Sequence, residues 1–243
     1  RFDMAYDFTW FKQILEKWNI TLSERQEHQF GTYYEMLIEK NKVMNLTAVT
    51  EFDEVVKKHF LDSISLGQFE ALDEKKTMLD LGTGAGFPGI PLKIIYPDLT
   101  ITLADSLNKR ILFLEEVISE LGLNGITAVH ARAEELAKDR AYREQFDYCV
   151  SRAVANLSTL CEYCIPFVKE GGKFISYKSG EIEEESAAAK HAVFLLGGEL
   201  KEIHKFEIPQ TDLHRSFVVI EKVKKTPKAY PRKAGTPSKM PLK

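Results

Sequence analysis

Three glycines fall within five residues, Gly82, Gly84 and Gly86, where a short apolar run (Met78-Leu79-Asp80-Leu81) gives way to a helical pattern. A chain turning that sharply from strand to helix needs residues without a Cβ, both for the turn and for close approach of the backbone to a ligand. Pro88 or Pro91, near the first helical turn, sacrifices no hydrogen bond, because the N–H there has no intrahelical partner. Asp80 to Pro91 therefore predicts a strand–loop–helix unit built around a bound molecule.

The rest of the chain supplies the setting for that unit. Short apolar runs recur at Ile101–Ala104, Ile126–Val129, Phe146–Ser151 and Lys173–Tyr177, with helix patterns between them, such as Ile111, Leu114, Ile118 and Leu121. Such alternation predicts an α/β fold with a parallel sheet. The end differs: Glu199–Ile208 and Phe217–Val223 are joined by a loop too short for a parallel crossover, so they predict an antiparallel pair. Five parallel strands with an antiparallel hairpin at one edge is the expected sheet. Residues 4 to about 75 read as helices. Phe8, Phe11, Ile14, Leu15 and Trp18 form one apolar stripe. Ser23 is the expected N-cap of a helix to Lys42, and a third helix runs roughly from Phe52 to Phe69. The expected divisions are a helical region at 1–75, a sheet domain at 76–223 and a tail at 224–243.

The 243 residues carry a formal charge of −3, which conceals an asymmetry. Lys222 to Lys243 holds eight Lys or Arg and no acid, leaving 25 cations against 36 acids, or −11, on the rest. With four of the nine prolines, this tail reads as an extended surface segment, either solvated, or contacting an anionic partner, or packing beside that partner's site. No stretch approaches the roughly 20 apolar residues of a membrane span. The first residues hold acids and no apolar block, so no secretory signal is expected, and three cysteines do not make a disulfide framework. A cytoplasmic protein is expected, with Arg1 to Asp3 reading as vector-derived. Cys161-Glu162-Tyr163-Cys164 lacks a second ligand pair for zinc, so its cysteines read as buried helix positions and no metal site is expected. His59, Asp62 and Ser63 stand on one helix without an oxyanion turn and read as packing or loop-bracing residues, not a triad. Glu181 to Glu185 reads as an acidic helix N-terminus.

Two ligands suit the glycine loop. Gly84-x-Gly86-x-x-Gly89 matches the dinucleotide fingerprint, with Asp105 about 20 residues on as a ribose acceptor. Asp80-x-Gly82-x-Gly84-x-Gly86 fits equally the acidic glycine loop of S-adenosylmethionine (SAM) methyltransferases. Asp80 favours the second reading, since a carboxylate beside the turn suits a cationic amino acid and opposes a pyrophosphate. The antiparallel hairpin favours it too. Arg152, ending the fourth strand, could bind a carboxylate, a base edge or a phosphate, or be an ordinary ion pair.

The wider text is more specific. Asp80 to Lys93 (DLGTGAGFPGIPLK), Asp105 to Arg110 (DSLNKR), Arg132-Ala133-Glu134 and Ser151-Arg152-Ala153-Val154 resemble the RsmG family, also called glucose-inhibited division protein B. So do Asn45-Leu46-Thr47, His59 to Ser63 (HFLDS) and Tyr230 to Pro237 (YPRKAGTP), and the resemblance runs from about Ser23 to Leu242. It implies a Rossmann-like class I SAM-dependent methyltransferase that modifies N7 of a guanine in 16S ribosomal RNA near the decoding centre. Its substrate would be that RNA or a small-subunit assembly particle, and the enzyme a monomer. Gly82 and Phe87 would line the SAM pocket beside Asp80, Gly84 and Gly86. Asp105 would meet the ribose, Ala133 and Glu134 the adenine, and Arg152 would close the pocket as a positioning and electrostatic group. Lys109, Arg110, Lys178, Lys228, Arg232, Lys233 and Lys239 are the candidate RNA contacts. The alternatives are a methyltransferase of another RNA or a small molecule, or an NAD-dependent oxidoreductase. The residues after the fourth strand carry no Asn/Asp-Pro-Pro-aromatic motif for an exocyclic amine, and no Pro-Cys pair for pyrimidine carbon 5. Guanine N7 needs neither, because its lone pair attacks without first losing a proton.

Overall fold

The computed structural model describes residues 6–243, so the reading of Arg1 to Asp3 lies outside it. Helix α1 (Thr9–Lys17) buries Phe11, Ile14 and Leu15 of the expected stripe. Ser23 caps α2 (Glu24–Met44) as expected: its hydroxyl accepts the Gln26 N–H at 3.1 Å, and the Gln26 side chain returns the bond to the Ser23 N–H at 2.9 Å. This reciprocal pair satisfies two N–H groups that the helix itself cannot.

The third helical stretch is not uniform. It begins as α3 (Phe52–Val55), widens into a π-helical turn at Val56–Leu61, and continues as α4 (Asp62–Ile64) and a 3-10 turn at Ser65–Gln68. An extra residue in a turn rotates everything after it, and single π-turns gather at functional sites. Here Phe60 through Leu66 are all buried, which no helix lying on a surface achieves.

The sheet follows: β1 (Thr77–Leu81), α5 (Gly89–Ile95), β2 (Thr100–Asp105), α6 (Asn108–Glu120), β3 (Ile126–His130), α7 (Ala133–Leu136), β4 (Phe146–Ser151), α8 (Leu157–Cys164), β5 (Val168–Ser179), α9 (Glu183–Leu195), β6 (Gly198–Glu207) and β7 (His214–Lys222). The spatial order is β3-β2-β1-β4-β5-β7-β6. The first five strands are parallel, and β7 pairs antiparallel with both β5 and β6. That is the expected sheet, with β5 starting five residues early through the polar segment Val168–Gly172.

Alternation along β1 assigns the two faces. Met78 joins the cluster with Phe11, Phe30, Phe60, Ile90 and Leu103, while Leu79 and Leu81 join Leu160, Phe174 and Val193 on the opposite side. The N-terminal helices thus share one apolar core with α5, α6 and the sheet. The tail does not run free. Tyr230 and Leu242 pack against the second cluster, Pro231 and Pro237 are buried, and Thr236–Lys239 forms a single helical turn, α10. Cys149, Cys161 and Cys164 are free and buried; burial pushes the Cys161 and Cys164 thiols up and out of reactive range.

Candidate active site

Strand order reverses between the parallel neighbours β1 and β4, the place where an open α/β sheet leaves a crevice at its strands' C-terminal ends. A cavity of about 380 Å³ lies there, lined by Leu81 and Gly82 after β1, Ala104 and Asp105 after β2, Ala133 and Glu134 on α7, and Leu160 and Tyr163 on α8. Its size suits a small-molecule ligand. Gly82 has φ +70°, and a Cβ built on it would come 3.9 Å from the Ala153 Cβ, which lines the same space. The backbone can therefore approach a ligand only because no side chain stands at 82. Asp105 is buried and braces the loop: it accepts the Gly84 N–H at 2.9 Å and the Leu107 N–H at 3.0 Å, with Arg110 at 3.4 Å. Glu134, also buried, accepts the Gly235 N–H at 2.9 Å and Arg132 at 3.4 Å.

Asp80 occupies the other face of β1 and is wholly buried. Its Oδ2 accepts the Thr83 hydroxyl at 2.7 Å and the Gly89 N–H at 2.9 Å, while Oδ1 has no partner among the described residues. Burial pushes its pKa up to about 7, against the opposing pull of those two hydrogen bonds and of Arg152. Gly89 marks a close approach, since a Cβ there would lie 2.3 Å from the Leu103 Cδ2.

Arg152 gathers the N-terminal motifs around the glycine loop. Its guanidinium meets Asp62 Oδ2 at 3.2 Å, donates to His59 Nδ1 at 3.1 Å and Ser63 Oγ at 3.3 Å, and stands over the Phe87 ring at 5.4 Å. Phe87 in turn stacks on the His59 ring, centroids 4.5 Å apart. A guanidinium only donates, so Nδ1 must accept, and the His59 proton sits on Nε2, which donates to the Thr47 hydroxyl at 2.8 Å. Burial, then the nearby Arg152 and Lys58 charges, pull the His59 pKa down to about 3 and keep it neutral. Asp62 also receives Arg215 from β7, at 2.5 Å and 3.1 Å. A second hollow, of about 440 Å³, lies beyond Arg152 and includes Tyr177, Lys178 and Arg215. Ala153 and Ala155 border both hollows, and Val154 between them is 100% exposed.

A family model described as rRNA small subunit methyltransferase G matches residues 26–214. The chain belongs to that family. The "Ribosomal RNA small subunit methyltransferase G" of Lachnoclostridium phytofermentans is 54% identical over 97% of this chain and 98% of its own length. The protein of the same name from Staphylococcus aureus is 48% identical over 96% of this chain and 97% of its own. Among solved structures, M. jannaschii TYW2 in complex with AdoMet superposes with a TM-score of 0.50 at 16% identity, covering 63% of this chain and 74% of that one. Thermus thermophilus TrmN gives 0.50 at 18% identity, over 69% and 53%. At those identities the likeness is one of fold: the sheet is the class I methyltransferase sheet.

Within this family member the expected site residues separate into groups. Gly82, Asp105, Ala133 and Glu134 line the first cavity, as does Arg110. Asp80 and Phe87 stand behind the loop, on the face of the N-terminal helices, and the Gly84 N–H is turned to Asp105. Arg152 lines the second hollow and not the first. Lys109, Lys228, Lys233 and Lys239 are exposed. Two expected cations are otherwise engaged. Lys178 donates to Glu185 at 3.0 Å and to the Ala155 carbonyl at 2.8 Å, and Arg232 is bound to the buried Glu162 at 2.7 Å. The tail is held more closely than an extended surface segment would be, because its arginine and its backbone find partners inside the molecule.

Sequence reasoning missed Tyr163 and Glu162, which sit between the two cysteines that drew attention to that stretch. It also missed Arg215. A helical-wheel reading of α8, placing Thr159 and Glu162 on one side and Leu160 and Tyr163 on the next, carried the only signal for the first pair.

Proposed function

We propose that this chain transfers a methyl group from SAM to N7 of a guanine in 16S ribosomal RNA near the decoding centre. Family membership supports the reaction class. The single observation that carries the reading is the crevice between β1 and β4, where a glycine backbone at Gly82 faces two buried carboxylates, Asp105 and Glu134. Such a donor set suits SAM: carboxylates accept from ribose hydroxyls and an adenine amine, whereas a pyrophosphate would be repelled. Asp105 would hold the ribose, Ala133 and Glu134 the adenine, with Tyr163 and Leu160 as the apolar wall, and Gly82 would run beside the ligand. When bound, SAM supplies an electrophilic methyl on a sulfonium.

The chain's own residues then have little acid–base work to do. N7 presents a free lone pair, so positioning and electrostatics suffice. Arg152 is kept rigid by Asp62, His59 and Ser63, at the border of the hollow that would admit the base. His59, neutral and proton-bearing only on Nε2, braces that arginine and the Phe87 ring without exchanging a proton. The exposed Val154 lines the second hollow, and its neighbours Ala153 and Ala155 border both, where a base and the cofactor would meet. Lys109, Lys228, Lys233 and Lys239 are the proposed phosphate contacts. Arg110, Arg232 and Lys178 leave that set because each already pairs with an acid. We further propose a monomeric, cytoplasmic enzyme acting on 16S RNA or on an assembly particle. Among the described residues, no helix is long and apolar enough to cross a membrane.

The test is to methylate ribosomal RNA from a strain lacking this gene and to map the product. A single N7-methylguanine in 16S RNA is expected. An unmodified RNA, together with methylation of a small molecule, would overturn the RNA reading, and stabilisation by NAD instead of SAM would overturn the cofactor reading.

A further inference from the structure

The basic tail turns its best-placed polar groups inward. Glu162 on α8 is 0% exposed and depends on the tail for its partners: the Arg232 N–H at 2.7 Å, its Nε at 3.1 Å and its Nη2 at 2.7 Å. One turn earlier on α8, the Thr159 hydroxyl donates to the Pro237 carbonyl at 3.1 Å. Gly235 then donates its N–H to Glu134 across 101 residues of sequence. From the far side, Arg143 holds the Tyr230 and Thr226 carbonyls at 2.9 Å and 3.1 Å.

These contacts fall on the wall of the first cavity. Thr159 and Glu162 meet the tail, while their neighbours Leu160 and Tyr163 line the cavity, and Glu134 does both. The Gly235 and Arg132 bonds to Glu134 fall on one oxygen, Oε2. They fix the carboxylate's rotation while leaving lone pairs for a ligand. Undocking the tail would take from Glu162 the Arg232 bonds that match its charge, which ties the tail to α8.

We propose that residues 230–240 are a strap that positions the cofactor pocket, with Arg232 and Gly235 as positioning residues that set affinity for the cofactor's nucleoside half. This rests on the reading that the cavity takes SAM. Lys233 and Lys239 on the strap's outer side remain exposed and are not needed for it.

Linkage makes the strap testable in the intact protein: if docking favours SAM, SAM must favour docking to the same degree. Hydrogen exchange on the full wild-type chain, with and without saturating SAM, should show the amides of residues 230–240 slowed at least ~5-fold, Gly235 foremost. The second measurement pairs Glu162→Gln with Arg232→Met, which removes both charges and leaves no unpaired ion. SAM affinity by calorimetry should fall at least ~10-fold, about 1.4 kcal/mol, with cooperative unfolding retained. A strap that merely stabilises the fold would lower the melting temperature without either response. Wild-type SAM binding with no change in exchange overturns the strap, as does unchanged affinity in the folded double variant. If that variant does not fold, the exchange experiment decides alone. Failure of the wild-type chain to bind SAM would instead refute the cofactor reading beneath it.

Discussion

Asp62 stands between two arginines from different strands of the sheet, Arg152 after the central β4 and Arg215 on β7, and accepts from both through nearly buried oxygens. One carboxylate thereby ties the N-terminal helices to the active-site strand and to the C-terminal hairpin. Replacing it by Asn keeps the shape and removes the charge. Asp62→Asn should lower stability by on the order of 3 kcal/mol, since two half-buried guanidiniums lose their common counter-ion. Urea unfolding measures this, and a loss of methyl transfer larger than the loss of folded protein would show that Arg152 has also been released.

His59 and Asp80 predict opposite pH effects. His59 has its pKa depressed in the folded protein to about 3, so between its ordinary value and 3 the unfolded chain binds the extra proton and stability falls as pH falls. Asp80 has its pKa raised to about 7, so the stability it contributes is present at low pH and lost as pH rises from the ordinary carboxylate value through 7. Each slope reaches at most about 1.4 kcal/mol per pH unit, and they oppose each other between roughly pH 4 and 6.5. Urea midpoints across that range should be nearly flat in this respect for the wild type. In Asp80→Asn the His59 slope should emerge, with stability falling toward acid.

Two glycines of the same loop should fail in different ways. A Cβ on Gly89 meets Leu103 and Asp80 at 2.3 Å and 2.9 Å, so Gly89→Ala should cost about 1–3 kcal/mol as an overpacked core. A Cβ on Gly82 meets only the cavity, at the expense of about 1 kcal/mol of left-handed backbone. Gly82→Ala should therefore melt only slightly early while its KM for SAM rises several-fold. Paired melting curves and SAM titrations separate the two.

The outward lysines predict a salt dependence. Each of Lys233 and Lys239 that touches a phosphate should contribute about 0.7–0.9 to the slope of log affinity against log salt. Lys233→Ala and Lys239→Ala should each reduce that slope without moving SAM affinity. A slope unchanged in both variants would place the RNA elsewhere.

What the sequence disclosed was what short spacing encodes. The Ser23 cap needed only Gln26 three residues on, and the crevice needed only a glycine loop with Asp105 after the next strand. The antiparallel finish followed from a loop too short to cross over. Charge pairing across the fold was invisible: Asp62 and Arg215 are 153 residues apart, and nothing local marks either as the other's partner. The tail's inward partners were hidden for the same reason. Prolines and cations describe a solvated end unless a buried acid such as Glu162 waits elsewhere, and a glutamate between two cysteines gives no sign of its depth. The π-turn was equally hidden, since one inserted residue blurs a 3.6-residue pattern without replacing it with another.

The sheet's order carries a consequence for how the protein is made. β6 touches no strand but β7, and β7 fills the place beside β5. On the synthesising ribosome the outer strand therefore emerges before the inner one that must anchor it, and the strap emerges after both. The earlier strands can pair while the nascent chain is still tethered, but the sheet closes inward at its last step. Chains terminated just after β7 would keep all seven strands and lack the segment that braces Glu134.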